Sequence, residues 1–264
     1  MKINDSMKIA SWNVAGIRAM IKKGNLNDLI NKCNPDIICL QETKAEEWQV
    51  TLPENINSQY PFRYWESTKG TTQRKGLSGT AIWSKIKPIR QYNPPITDEE
   101  GRITTLEFEN VIIVSVYTPN SQCLDSNRLK FRTTTWHDNF KNYIGQLQIL
   151  KPTIICGDLN VANENIDIHN PEKHHNHAGF LDIERKQFKE YLSQGYTDII
   201  RKFNENTEGL YTYWNQINPK IRENNSGWRI DYFLTSNEIR VKNCSIENKI
   251  YGSDHCPIYI EIYN

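Results

Sequence analysis

The sequence predicts an α/β protein, a four-layer sandwich of two mixed β-sheets flanked by helices. Short apolar, β-rich runs recur along the chain and alternate with segments of helical periodicity, a pattern typical of α/β layers. Segments 77–83 and 102–116 have the pattern of antiparallel hairpins, so mixed sheets are expected. The 264 residues contain no Gly/Ser linker and no evident repeat, which favours a single domain over 1–264 with residues 1–6 as a flexible tail.

Five apolar runs are predicted strands, and each ends in or carries a polar residue suited to a metal ion or a phosphate. The runs span residues 7–11, 37–40, 111–117, 153–156 and 230–234. The associated polar residues are Asn13, Glu42, Asn120, Asp158 with Asn160, and Asp231, and His255 follows near the C-terminus. Such recurrence favours one shared site and predicts a metal-dependent hydrolase of phosphate esters.

Helical periodicity predicts three helices between these strands. Their apolar positions are 26, 29, 30 and 33 in the first, 136, 140, 143, 144 and 147 in the second, and 183, 188, 191 and 192 in the third. Asp182 is the expected N-cap of the third helix, and Gly195 follows its end.

Charge and cysteine content set broad limits on function. Lys and Arg total 32 against 31 Asp and Glu, so the net charge of +1 neither favours nor excludes a nucleic-acid partner. The six cysteines show no C-x-x-C spacing, which predicts free thiols in an intracellular protein, nuclear or cytoplasmic. The longest apolar run, 111–117, is far shorter than the ~20 residues that span a bilayer, and the N-terminus lacks a signal-peptide core, so no membrane association is expected.

The polar residues suggest specific chemistry. Glu42 is the first predicted ligand of a hard cation such as Mg²⁺, which takes oxygen ligands and keeps several waters. Asp158 and Asn160, two apart on a segment expected to be extended, would point the same way and orient a water at phosphorus. Turn formation beside Gly157 is the alternative. Asp231 is the predicted orienting partner of His255, because a carboxylate stabilises an imidazolium that faces a phosphate.

Several strings resemble, in order, the exonuclease III family of abasic-site endonucleases, part of the endonuclease/exonuclease/phosphatase superfamily. They are Ser-Trp-Asn-Val at 11–14, Leu-Gln-Glu-Thr-Lys at 40–44, Tyr-Thr-Pro-Asn at 117–120, Cys-Gly-Asp-Leu-Asn-Val-Ala at 156–162, Asn-His-Ala-Gly-Phe at 176–180, Gly-Trp-Arg-Ile-Asp-Tyr-Phe at 227–233 and Gly-Ser-Asp-His-Cys-Pro at 252–257. The resemblance covers residues 7–262 and implies the same sandwich of two β-sheets flanked by helices.

The resemblance also implies roles at the metal and at the attacking water. Glu42 would hold Mg²⁺, or Mn²⁺ in its place, with Asp254 nearby and Lys44 tuning the carboxylates. Asp158 would activate the water or protonate the leaving group, with help from Asn160.

Further residues are implied to bind the substrate. Those expected at the scissile phosphate are Asn13, Tyr117, Asn120 and His255, the last held by Asp231. Those expected at the DNA backbone, or else on a solvated face, are Arg18, Lys22, Lys23 and Arg102. The expected pocket for an extruded sugar without a base is lined by Tyr213, Trp214, Trp228 and Ile230, although such aromatics are also common in cores.

Three features depart from the family pattern. Ala15 stands where the family usually has Asp or Asn, so either Glu42 is the main metal ligand with water filling in, or the metal site is weakened. His174 and His177 replace amides that contact DNA, and a histidine cluster also suggests zinc, loop surface being a third interpretation. The loops 121–123 and 216–218 lack the bulky residues that some members insert into DNA.

The sequence therefore predicts a Mg²⁺-dependent DNA repair hydrolase, a monomer that cuts double-stranded DNA 5′ to abasic sites. Activity as a 3′-phosphodiesterase and as a 3′-to-5′ exonuclease is also expected. Two alternatives stay open: a catalytically impaired DNA-damage-binding protein, suggested by Ala15, and another phosphoesterase of the same superfamily.

Overall fold

The structure is a computed structural model that describes residues 6–68, 76–95 and 99–264. The predicted tail lies outside these ranges except for its last residue, Ser6, which begins the first strand and so is not part of a tail.

The described residues form strands and helices that alternate along the chain. The strands are β1 (Ser6–Asn13), β2 (Ile37–Gln41), β3 (Phe62–Glu66), β4 (Thr80–Ser84), β5 (Arg90–Tyr92), β6 (Ile103–Glu107), β7 (Ile112–Tyr117), β8 (Thr153–Asp158), β9 (Tyr196–Asp198), β10 (Asp231–Ser236), β11 (Val241–Ile246) and β12 (Ile258–Tyr263). The helices are α1 (Ile17–Lys23), α2 (Asn25–Cys33), α3 (Glu54–Gln59), α4 (Asn127–Phe131), α5 (His137–Leu150), α6 (Asp182–Ser193), α7 (Ile199–Phe203) and α8 (Lys220–Glu223). A π-helical turn, Arg132–Trp136, joins α4 to α5.

The strands form two six-stranded sheets, each with one parallel pair at its centre. The orders are β11-β12-β1-β2-β4-β3 and β5-β6-β7-β8-β10-β9. The pairs β1–β2 and β7–β8 are parallel, whereas the other neighbours are antiparallel. The prediction of two mixed sheets is confirmed, and β6 and β7 form the hairpin expected within 102–116.

Alternation along the strands separates three apolar layers. Ile9 and Cys39 of the first sheet pack against Ile113 and Cys156 of the second, which forms the core between the sheets. Residues on the opposite strand faces pack against helices, because successive strand side chains point to opposite sides. On the outer face of the first sheet α1 and α2 are buried against Trp12, and α5 and α6 cover the second sheet. The predicted four-layer arrangement is therefore confirmed.

The three predicted helices correspond to α2, α5 and α6, with one correction at a helix end. Asp182 is the first residue of α6 and not its N-cap, which is Leu181. The Glu184 carboxylate accepts the Leu181 N–H at 3.1 Å, so a side chain from the first turn satisfies this end of the helix. Gly195 lies past the helix with a φ of 95°, as the sequence suggested.

All six cysteines are free thiols. Within the described ranges, no helix has the length and apolar character needed to cross a membrane.

Candidate active site

The parallel strand pairs of the two sheets end at one edge of the sandwich. Asn13 ends β1, Glu42 directly follows β2, Tyr117 ends β7 and Asp158 ends β8. Nδ2 of Asn13 lies 3.0 Å from both Glu42 Oε1 and Asp158 Oδ2, so one amide links the carboxylates delivered by the two sheets. The predicted convergence of strand ends on a shared site is observed for these residues.

Glu42 is held as a carboxylate in a tight turn. Its φ of 49° is left-handed, a conformation that non-glycine residues adopt rarely and that recurs at active sites. Lys44 Nζ lies 2.8 Å from Glu42 Oε2. Burial favours the neutral acid, but the Lys44 charge and the Asn13 amide outweigh it and lower the pKa of Glu42. The group is therefore anionic at neutral pH.

Asp158 and Asn160 are brought together by a turn and not by extended chain, which is the alternative that the sequence left open beside Gly157. Asn160 has a φ of 49°, and its backbone N–H donates to Asp158 Oδ1 at 2.8 Å. Its side-chain Nδ2 donates to the carbonyl of Thr118, and its Oδ1 accepts Nδ2 of Asn120. The turn thus fixes Asp158 and both amides in one network.

His255 lies between two carboxylates. Its Nδ1 is 2.8 Å from Asp231 Oδ2, and its Nε2 is 3.7 Å from Asp158 Oδ2. Burial alone would lower the pKa of His255, but the Asp231 and Asp158 charges outweigh it and raise the pKa to about 10. Burial also raises the pKa of Asp158 to about 7, with Asp231 adding to the effect and the imidazolium opposing it. The predicted contact between Asp231 and His255 is confirmed.

These groups open into a cleft of about 570 Å³ with one apolar wall. Tyr213, Trp228 and Ile230 form this wall, and the Tyr213 ring packs 4.9 Å from the His255 ring. The other predicted site residues that line the cleft are Glu42, Tyr117, Asn120, Asp158, Asn160, His174, His177, Asp254 and His255. Trp214 is buried in a separate apolar cluster, so it is not part of this wall.

The sequence profile of the Endonuclease/Exonuclease/phosphatase family matches residues 10–255, a range that includes every residue of this cleft. The chain belongs to that family. An exodeoxyribonuclease of Bacillus subtilis is 41% identical over 262 residues, covering 97% of this chain and 99% of the relative. The DNA repair nuclease APEX1 of Danio rerio is 40% identical, covering 96% and 81%. These relatives place the chain in the exonuclease III-like branch of the family.

Solved structures show the same fold. An AP endonuclease from Archaeoglobus fulgidus superimposes with a TM-score of 0.85 at 26% identity, covering 98% of this chain and 99% of that one. The AP endonuclease LMAP of Leishmania major gives 0.83 at 26% identity, covering 100% and 90%.

As a member of the Endonuclease/Exonuclease/phosphatase family, the chain is expected to bind a metal ion at this cleft. Ligand atoms of Glu42, Asp158 and His255 lie within 4.8 Å of one another. The two carboxylates fit a hard cation such as Mg²⁺, which prefers oxygen ligands to an imidazole nitrogen. Asp254 lines the cleft outside this group, and its Oδ1 accepts the Ser253 hydroxyl.

Ala15 contributes only backbone to this family site. Its φ is 46°, and its N–H donates to Asn13 Oδ1 at 3.1 Å. The methyl group supplies no oxygen to a metal or its waters, which is the departure that the sequence suggested.

The residues predicted to contact the DNA backbone differ in their exposure to solvent. Arg18, Lys22 and Lys23 are exposed on α1, and Arg18 and Lys44 line a neighbouring groove of about 260 Å³. Arg102 is buried, with its guanidinium paired to Glu100 and stacked on Tyr117. Its burial contradicts the predicted contact with the DNA backbone, because the guanidinium already has these protein partners.

The sequence did not predict the buried ion pair that lies beneath the cleft. Arg132 Nη1 lies 2.8 Å from Glu184 Oε1, and Arg132 also donates to the carbonyl of Leu159. The other oxygen of Glu184 accepts the N–H groups of Gly179 and Leu181. The pair therefore ties together the loops after β8 and before α6. The only sequence signal was the position of Glu184 in the first turn of a predicted helix.

Proposed function

We propose that this protein is a Mg²⁺-dependent DNA repair hydrolase that cleaves double-stranded DNA 5′ to abasic sites, with Mn²⁺ as an alternative cation. One observation carries the proposal: the carboxylates of Glu42 and Asp158 and the imidazole of His255, which Asp231 contacts, lie beside an apolar wall in a single cleft. The names of its relatives agree with this reaction, since they include an exodeoxyribonuclease and a DNA repair nuclease.

The side chains supply binding, orientation and proton transfer. The His255 imidazolium, the Tyr117 hydroxyl and the Asn120 amide contact the scissile phosphate, and preorganised donors of this kind stabilise its developing charge. Asp158 takes a proton from the attacking water, for which a raised pKa near neutrality is suited. When bound at Glu42, Mg²⁺ supplies Lewis-acid stabilisation of the phosphate oxygens.

The bonds that change define the products. The water oxygen bonds to phosphorus while the bond from phosphorus to the 3′ oxygen of the preceding nucleotide breaks. That oxygen takes a proton from solvent and leaves as a 3′ hydroxyl, and the abasic sugar keeps the 5′ phosphate.

Selectivity arises at the apolar wall. An extruded sugar without a base can pack against Trp228, Tyr213 and Ile230, whereas an intact nucleotide needs additional space for its base. The same pocket admits a 3′-terminal sugar fragment, which extends the proposal to 3′-phosphodiesterase and 3′-to-5′ exonuclease activity.

The deciding experiment measures turnover of a duplex that contains one abasic analogue, with Mg²⁺ or EDTA, beside an undamaged duplex and the variant Asp158→Asn. Cleavage of the lesion strand that EDTA abolishes and Mg²⁺ restores is the expected result, with Asp158→Asn inactive. Tight lesion binding without turnover would instead support the impaired binder suggested by Ala15. Turnover of phosphoinositides but not of DNA would support another phosphoesterase.

We further propose that the protein acts as an intracellular monomer. Six free thiols are typical of a reducing compartment. Light scattering after size-exclusion chromatography tests the monomer, with a mass near 30.9 kDa expected.

A further inference from the structure

Arg102 contacts Tyr117 in three independent ways. The Tyr117 N–H donates to the Arg102 carbonyl at 2.8 Å, which extends the β6–β7 pairing by one residue. In return, Nη1 of Arg102 donates to the Tyr117 carbonyl at 3.1 Å. The guanidinium also lies over the Tyr117 ring, 4.6 Å from its centroid. Backbone and ring of Tyr117 are therefore both constrained by one side chain.

Ion pairs hold the Arg102 side chain in place. Its Nε pairs with Glu100 Oε2, and Arg128 Nη2 contacts both oxygens of the same carboxylate at 2.8 and 3.0 Å. Arg102 and Glu100 have side-chain exposures of only 4% and 8%. Because a planar guanidinium held on two edges cannot rotate freely, its stacking face has a defined orientation.

Tyr117 is the one member of this chain of contacts that reaches the cleft. It lines the cleft beside Glu42, and burial followed by the Glu42 charge raises the pKa of its hydroxyl. Any tilt of the ring would move the hydroxyl relative to Glu42 and to the bound phosphate. Errors of about 1 Å in such groups can cost ~100-fold in rate.

We propose that Arg102 is a positioning residue that fixes the Tyr117 hydroxyl for catalysis, with Glu100 and Arg128 holding Arg102 in place. The inference rests on the proposed function, because it assigns Tyr117 to the scissile phosphate. It replaces the DNA-backbone contact that the sequence suggested for this arginine.

A double-mutant cycle of Arg102→Lys and Tyr117→Phe tests the proposal on abasic duplex DNA. Arg102→Lys keeps the charge but loses the planar stack, so kcat should fall by roughly 10-fold or more while KM changes little. In the Tyr117→Phe background the same substitution should have no further effect on kcat, because the hydroxyl it positions is gone. Additive losses would mean that Arg102 acts independently of Tyr117 and would overturn the proposal.

The chain offers a matched control in Arg90. This arginine also lies over a tyrosine, Tyr92, at 4.4 Å and pairs with a glutamate, Glu107, but it lies on the strand at the edge of the second sheet. Arg90→Lys should leave kcat and KM at wild-type values. An equal loss in Arg90→Lys would indicate a general effect of breaking such stacks and would count against a specific role for Arg102.

A second measurement does not depend on turnover. In protein labelled with 3-fluorotyrosine, the resonance of residue 117 is assigned as the one missing in Tyr117→Phe, and its shift and width are followed by ¹⁹F NMR. Arg102→Lys should shift or sharpen this signal through faster ring flips, and Arg90→Lys should not. An unchanged signal in Arg102→Lys would refute the positioning role, whether or not the protein cleaves abasic DNA. Failure of the wild-type protein to cleave abasic DNA would instead reject the proposed function. If Arg102→Lys does not fold, Arg128→Gln provides the same test by loosening Glu100.

Discussion

Asp231 Oδ2 lies 2.8 Å from His255 Nδ1, and both side chains are buried beside Asp158. Asp231 stands directly opposite Asp158 in the antiparallel pairing of β10 with β8. The imidazole therefore has a carboxylate on each side. This arrangement keeps it cationic at the position where we propose that the phosphate binds.

Asp231→Asn should lower the pKa of His255 from about 10 toward the neutral range. Removing the nearest negative charge destabilises the imidazolium more than the neutral ring, so the proton is lost at lower pH. In metal-free protein, ¹⁵N NMR of the imidazole should show no titration between pH 6 and 8 in the wild type and a clear one in the variant. In both proteins kcat should rise as Asp158 loses its proton near pH 7, and only in the variant should kcat fall again as the imidazole is deprotonated. An imidazole that stays protonated in Asp231→Asn would show that another group sets its charge.

The sequence located much of this site because carboxyl ends of parallel strands meet at one edge, and strands were visible as apolar runs. Asn13, Glu42 and Asp158 were predictable in this way. For Asn160 the extended geometry was wrong and the alternative of a turn beside Gly157 was right, because strand periodicity does not show a left-handed residue. Arg102 was misassigned, since an arginine before a strand is usually exposed and its burial depends on Glu100 and on the distant Arg128.

Glu184→Gln should destabilise the fold by about 3–5 kcal/mol, because it leaves the Arg132 charge buried without its partner. The amide can still accept the N–H groups of Gly179 and Leu181, so the loss reports mainly on the ion pair. Urea unfolding followed by circular dichroism measures the difference. Glu164→Gln is the control, since Glu164 is 45% exposed in its pair with Lys189 and should cost about 1 kcal/mol or less. Equal stabilities for the two variants would contradict this account.

DNA affinity should strengthen as pH falls if His174 and His177 contact phosphates from the cleft wall. Protonation adds positive charge, so binding to DNA is favoured below the histidine pKa of roughly 6.5. Burial, followed by the neighbouring His177, lowers the pKa of His174, so its share of the effect should appear at more acidic pH. Fluorescence anisotropy with abasic duplex at pH 5.5 to 8 measures this dependence.

The double variant His174→Asn with His177→Asn keeps polar side chains that cannot gain charge, so its affinity should vary less with pH. His175→Asn is the control, because His175 is exposed in the same loop and does not line the cleft. A pH profile that the double variant leaves unchanged would assign the two histidines to loop surface.

Substitutions of Ala15 can separate an effect on the backbone turn from an effect on the metal site, because its φ of 46° is unfavourable for alanine. Ala15→Gly and Ala15→Asn both suit a left-handed turn and should stabilise the protein by up to ~1 kcal/mol. Only Ala15→Asn and Ala15→Asp add an oxygen, so only these two variants should lower the Mg²⁺ concentration for half-maximal cleavage. The decrease should be larger for Ala15→Asp because it also adds a negative charge. The Mg²⁺ titration midpoint is the measurement, with Ala15→Gly as the matched control. If Gly and Asp shift the midpoint equally, the change comes from the turn, and position 15 does not face the metal.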